Sequence, residues 1–149
     1  MMGPEQERAA AIIAAARGWI GTPYRHQASL KGVGADCLGL VRGVWREVMG
    51  GEPEQPPAYA PGWAEEGGTE AMAEAARRHL TEVPYTEYQA GDVLLFRWRA
   101  HLPAKHAGIS SGGASMIHAQ EGVAVTEIAL SQWWLRHLAF AFRFPHGRR

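Results

Sequence analysis

The chain has 149 residues, within the range of one domain, and 46% of them are hydrophobic against 20% charged, which supports a packed core and excludes disorder. Fifteen Lys and Arg balance fifteen Asp and Glu, so the basic excess of a nucleic-acid reader is missing. Eighteen glycines and nine prolines occur without a period, which excludes a collagen-like chain.

Ile12, Ile13, Ala16, Trp19 and Ile20 recur at helical spacing, predicting a first helix over Glu5–Trp19 that Gly21-Thr22-Pro23 ends. Tyr24 to Gly34 reads as a loop. Asp36 is a good N-cap for a second helix that starts at Cys37, runs to about Met49 and buries Leu38, Val41, Val44, Trp45 and Val48. Nine of the nineteen residues from Gly50 to Gly68 are Gly or Pro, a surface excursion too close to both ends to separate two domains. Thr69–Leu80 returns to helix.

After Gly91-Asp92 the period changes to that of strands. Val93–Phe96, Lys105–Ser110, Ala114–Ala119, Gly122–Ile128 and Leu138–Phe144 are the expected strands, with a helical turn at Ser131–Arg136. Helices first and strands afterwards predict an α+β fold, with N-terminal helices packed on a C-terminal antiparallel sheet of about five strands. The expectation is one domain over 1–149. The N-terminus shows no basic region before its apolar run, and no stretch reaches the roughly 18 apolar residues of a membrane helix. Cytoplasmic synthesis without a signal peptide and no membrane insertion are therefore expected.

Cys37 is the one cysteine. A lone thiol serves either packing or chemistry, and a helix N-terminus, where backbone N–H groups favour a thiolate, argues for chemistry. Two histidines offer a base. A three-residue loop Ser111–Gly113 places His106 directly opposite His118 on one face, with Cβ atoms about 4.5–5.5 Å apart. A two-residue Gly112-Gly113 turn puts the rings on opposite faces, so the pairing depends on register. Tyr24 is either a loop aromatic covering the core or a phenol donating to an oxyanion near Cys37. His26 is placed to line a cleft. Arg97 and Arg99 flank Trp98, as a solvated loop or as partners for a substrate carboxylate. Trp63, Trp98, Trp133 and Trp134 read as core or cleft walls. No HExxH or tight His/Cys cluster occurs, although His101, His106, His118 and Asp92 leave a zinc site open.

The segments GTPYRH (Gly21–His26), DCLGLV (Asp36–Val41), GDVLLF (Gly91–Phe96), KHAGI (Lys105–Ile109) and MIHA (Met116–Ala119) together resemble the NlpC family of bacterial cell-wall peptidases, a branch of the papain-like superfamily. Their order covers nearly the whole chain, with residues 50–80 as an insertion. The resemblance is greatest to short members found in tail modules of phages and gene transfer agents. It implies Cys37 as nucleophile, His106 as general base and then acid, and His118 as the orienting third residue. It also implies Tyr24 as an oxyanion donor and Asp36 as the anchor for a stem-peptide amine. The implied substrate is a peptidoglycan stem peptide, cut between D-glutamate and a diamino acid, with no cofactor and with tail-tip proteins as partners. Two positions depart from the family pattern. Leu38 stands where a serine usually follows the nucleophile, and Arg25-His26 stands where Trp-Gly usually follows the tyrosine. A non-catalytic tail component and a thiol acyltransferase on the same fold are the alternative expectations.

Overall fold

The computed structural model describes residues 2–54 and 69–146. Helix α1 (Pro4–Arg17) begins with a proline, whose missing N–H costs nothing in a first turn, and ends two residues short of the predicted Trp19. The 24–34 loop holds a hairpin of two-residue strands, β1 (Ser29–Leu30) and β2 (Gly34–Ala35), too short to leave a periodic signal. Helix α2 (Cys37–Val48) follows directly, capped by Asp36. Helix α3 (Ala71–His79) closes the predicted third helical stretch. Most of the Gly/Pro-rich excursion, with Trp63, falls on residues 55–68, outside the described residues.

Six strands make the main sheet: β3 (Thr81–Val83), β4 (Val93–Phe96), β5 (His106–Gly112), β6 (Ser115–Gln120), β7 (Val123–Ala129) and β8 (Leu138–Arg143). Their order is β3-β8-β4-β5-β6-β7, with every pairing antiparallel. The sixth strand beyond the expected five is β3. Its three residues, stopped by Pro84, cannot show an alternation. A short helix, α4 (Gln132–His137), precedes β8.

The sheet is covered on both faces, which explains why β4 reads as an unbroken apolar run. Val93 and Leu95 join Ala107, Ile109, Ile117, Val125 and Phe142 under the helical layer of Ile12, Ala16, Trp19, Leu40, Val44 and Met72. Leu94 and Phe96 join Met116 and Ala141 on the other face, beneath Leu130, Trp98 and Trp134. Each large apolar side chain so buried stabilises the fold by roughly 1.5–3 kcal/mol. The helices interlock through a glycine: a Cβ on Gly43 would lie 2.0 Å from the Trp19 ring. Trp19 therefore lies flat on α2, with its indole N–H donating to Glu47 at 2.6 Å.

Candidate active site

Cys37 is the first residue of α2. The Asp36 carboxylate accepts the Gly39 N–H at 2.7 Å, and the Asp36 carbonyl accepts the Leu40 N–H at 2.9 Å. The cap thus leaves the N–H groups of Cys37 and Leu38 outside the helical ladder, and both point at the Cys37 sulfur, joined by the N–H of Ala107 from β5. His106 is the residue before Ala107. The N-terminus of α2 and the first residues of β5 therefore meet at one sulfur atom.

The histidines meet by a register other than the expected one. His118 faces Gly108, and His106 pairs with Phe96 on the other side, so the two rings are diagonal neighbours two residues apart. The loop is Gly113-Ala114, both at positive φ, as a type I′ turn demands. Taken alone, that turn sets Gly112 opposite Ser115 and would send the two histidines to opposite faces. A bulge between Ser110 and Gly112 adds one residue to β5 and restores the shared face. Gly108 supplies the room. A Cβ there would lie 2.6 Å from the Met116 sulfur and 3.4 Å from the His118 Cβ. His106 Nε2 and His118 Nδ1 are 2.8 Å apart, which leaves Nδ1 as the one ring nitrogen of His106 able to serve Cys37.

Aromatic rings enclose this pair. Trp98 stacks on His106 at 5.5 Å between centroids, and Trp134 packs edge-on to His118 at 5.3 Å. The sequence marks these tryptophans as core or wall without showing that they wrap the histidines. Burial sets the charge states. It pushes His106 down to about 3, helped by His118 and Lys105, and His118 down to about 4. It pushes the Cys37 thiol up to about 12, with Asp36 adding to the effect and the three N–H groups opposing it. The resting site is a neutral thiol beside two neutral imidazoles.

That state has a measurable cost in acid. Unfolded histidine titrates near 6.5, so the unfolded chain binds protons that the folded one refuses as pH falls below that value. Stability is full above about pH 6.5 and declines towards the lowered folded values, by about 2 kcal/mol per histidine at pH 5. Urea unfolding at pH 7 and pH 5 should show this loss, and His118→Gln should show a smaller one. Equal stability of the wild type at both pH values would contradict the neutral, buried pair.

Tyr24 is held beside this centre by its backbone, since Ala35 N–H donates to the Pro23 carbonyl and Arg25 N–H to the Ala35 carbonyl. Burial raises its phenol to about 12, with the neighbouring Asp36 carboxylate adding to the shift, so it remains a hydrogen-bond donor. Asp36 is 4% exposed and has both oxygens engaged, Oδ1 by Gly39 and Oδ2 by the Gln27 N–H at 2.8 Å. His26 lies at the rim, its Nδ1 3.9 Å from Asp36 Oδ2. The sequence gives no sign that Gln27 sits in the left-handed region, at φ 66°, held there by the Asp36 carboxylate. Arg97, open in the sequence as solvated loop or carboxylate partner, is engaged within the fold, donating to Glu70 at 2.9 Å and to the Leu102 carbonyl at 2.7 Å. The open zinc set is not assembled either. Asp92 is taken by Arg143 and the Gln89 N–H, and His101 lies at the surface.

This arrangement carries a known family signature: residues 21–142 match the model of the NlpC/P60 family. The chain belongs to the NlpC/P60 family. Over 125 residues it is 30% identical to "Protein P54" of Enterococcus faecium, covering 84% of this chain and about a fifth of that relative's length (20%). It is similar to the crystal structure of the NlpC/p60 domain of the peptidoglycan hydrolase SagA, at 28% identity and a TM-score of 0.63, over 91% of this chain and 98% of that one. An NLP/P60 family protein of Staphylococcus aureus shares the fold at 22% identity and a TM-score of 0.65, over 98% of this chain and 44% of that one. Family membership points to cell-wall peptidase activity and accounts for the α+β layout.

Proposed function

We propose that this NlpC/P60 chain is a cysteine-dependent peptidoglycan hydrolase that cuts the stem peptide between D-glutamate and a diamino acid. The observation that carries the reading is the Ala107 N–H at the Cys37 sulfur, which brings β5 to the start of α2 one residue from the His118-held His106. His106 Nδ1 takes the thiol proton as sulfur attacks the scissile carbonyl, and Nε2–H donates to His118 Nδ1 throughout. Concerted transfer suits a thiol and an imidazole that are both neutral at rest. Charge then grows on the carbonyl oxygen, stabilised by the Cys37 N–H and the Tyr24 phenol. His106 returns its proton to the leaving amine, and water attacks the acyl-enzyme with His106 again as base. His118 must stay neutral to accept, and its burial keeps it so.

Tyr24→Phe removes one oxyanion donor and should lower kcat about 10²–10³-fold with the fold intact. An unchanged kcat would return Tyr24 to the role of core cover. Asp36 acts first as the cap that places Cys37, and its role as an amine anchor is proposed with His26 beside it.

We also place the protein's action at the cell wall, delivered by a phage-like tail and held by tail-tip proteins. The resemblance to short tail-module members supports this. Mass spectrometry of fragments released from purified peptidoglycan tests the bond. A new amine end at the diamino acid supports the assignment, and amine ends elsewhere would move it. Acyl transfer would share the first half-reaction, and acyl products heavier than the hydrolysis acid by one acceptor less one water would replace hydrolysis with transfer.

A further inference from the structure

Among the described residues, Trp134 is the one aromatic side chain that touches both His106 and His118. Its indole meets the His118 ring edge-on, at 85° and 5.3 Å between centroids, and packs on the His106 ring at 35° and 5.6 Å. The two imidazoles are themselves almost perpendicular, at 83°. A hydrogen bond between crossed rings needs the His106 Nε2–H to lie along the lone pair of His118 Nδ1, in the plane of the His118 ring. Rotation about the last side-chain bond of a histidine is soft, so the 2.8 Å bond does not fix both planes by itself. Packing has to supply the rest.

Trp134 is itself held in place. Before α4, the Leu130 N–H donates to the Ala114 carbonyl at 2.7 Å, and at its end the His137 carbonyl accepts the Arg97 N–H at 2.9 Å. Phe96 and Trp133 each meet the indole edge-on at 5.0 Å. Under this cover His106 is 5% exposed and His118 3%. The indole brings no charge of its own. Of the groups that could, Lys105 is the chain neighbour of His106 and opposes its protonation. Cys37, with Asp36 beside it, meets the next residue of β5, Ala107. Arg97 is held by Glu70, and His137 of α4 is turned onto Trp133 while Arg136 is exposed. Phe96 and Thr126, opposite the two histidines on β4 and β7, are uncharged. We propose that Trp134 is a positioning residue: its indole holds the two imidazoles in the relative orientation in which His118 can accept from His106, and keeps water away from both. The inference rests on the hydrolase reading and deepens it by naming what holds the base.

The test compares Trp134→Leu, which keeps apolar bulk without a ring, with Trp134→Phe and with Trp133→Ala on the same helix. Trp134→Met repeats the comparison if Trp134→Leu does not fold. Two readouts are taken on the intact chain: nitrogen NMR titration of the histidine side chains, which needs no substrate, and steady-state cleavage of peptidoglycan stem peptides. In Trp134→Leu, His118 should titrate about one pH unit above its wild-type value of about 4. Its kcat at pH 7 should fall about tenfold with KM within about twofold, as for a displaced base. Trp134→Phe should recover most of both, and Trp133→Ala should leave the titration at its wild-type position. An unmoved His118 in Trp134→Leu, a loss carried by KM instead of kcat, or a Trp134→Phe no better than Trp134→Leu would overturn the role. So would an equal shift in Trp133→Ala, which would reduce the effect to loosening of α4. Each of these leaves the hydrolase reading standing if wild type cuts. Wild type that cuts nothing, with the His118 shift present, removes the hydrolase reading and leaves Trp134 a packing residue.

Discussion

Cys37→Ala is expected to abolish amide cleavage while leaving the fold in place. The variant deletes one half-buried sulfur from a helix whose start is set by Asp36, not by the thiol. It also removes a group whose ionisation burial opposes, so unfolding stability should stay within about 1 kcal/mol of wild type. In the proposed mechanism Cys37 alone forms the acyl bond. The N–H groups and Tyr24 stabilise charge, and His106, its Nε2 held by His118, moves a proton. Because nucleophile and base act as a unit, removing either costs nearly the whole covalent rate enhancement. Release of amine ends from peptidoglycan, read beside urea unfolding, checks both halves. Cleavage retained by Cys37→Ala would end the thiol mechanism.

Gly39→Ala is the other large expected effect, at a residue that touches no substrate. A Cβ there would stand 1.8 Å from the Ala28 carbonyl oxygen and 3.1 Å from Asp36 Oδ1. The first of these is backbone and has no rotamer to change, so α2 and the 25–28 turn must move apart. That turn is pinned on both sides. Ser29 Oγ donates to the Gly39 carbonyl at 2.6 Å, and Asp36 bridges the Gly39 and Gln27 N–H groups. Overpacking of this kind costs about 1–3 kcal/mol. The separation also shifts Cys37 against β5, and a displacement of about 1 Å at a reacting atom can cost about 10²-fold in rate. The expected result is a lower urea midpoint together with a kcat reduced about a hundredfold. Wild-type values for both would show that the turn gives way freely and does not position the sulfur.

The parts of this account that were legible in the sequence are those with a local chemical cause. Asp36 before an apolar helical stripe marks both the start of α2 and the place of Cys37. The unbroken run Val93–Phe96 marks a central strand, and the apolar alternation from Leu138 marks the last one. The histidine pairing was legible only in part. Parity put both rings on one face, but the Ser111 bulge and the Gly113-Ala114 turn are two opposed one-residue effects, and which loop forms is decided by packing across the whole hairpin. β3 is too short to read. The position of Arg97 depends on Glu70, 27 residues away in the chain, and no local pattern reports such a partner. The charge states of Cys37, His106 and His118 come from burial, supplied around the two histidines by Trp98 and Trp134, and such convergence is a property of the tertiary fold.

The most direct test of covalent catalysis at Cys37 is to quench wild-type enzyme during turnover of a stem-peptide substrate and weigh the Cys37-containing peptide. The mechanism predicts an added mass equal to the acyl half of the substrate, lost on treatment with hydroxylamine and absent from Cys37→Ala. Steady turnover with Cys37 unmodified at every quench time, and with alkylated Cys37 still active, would contradict it.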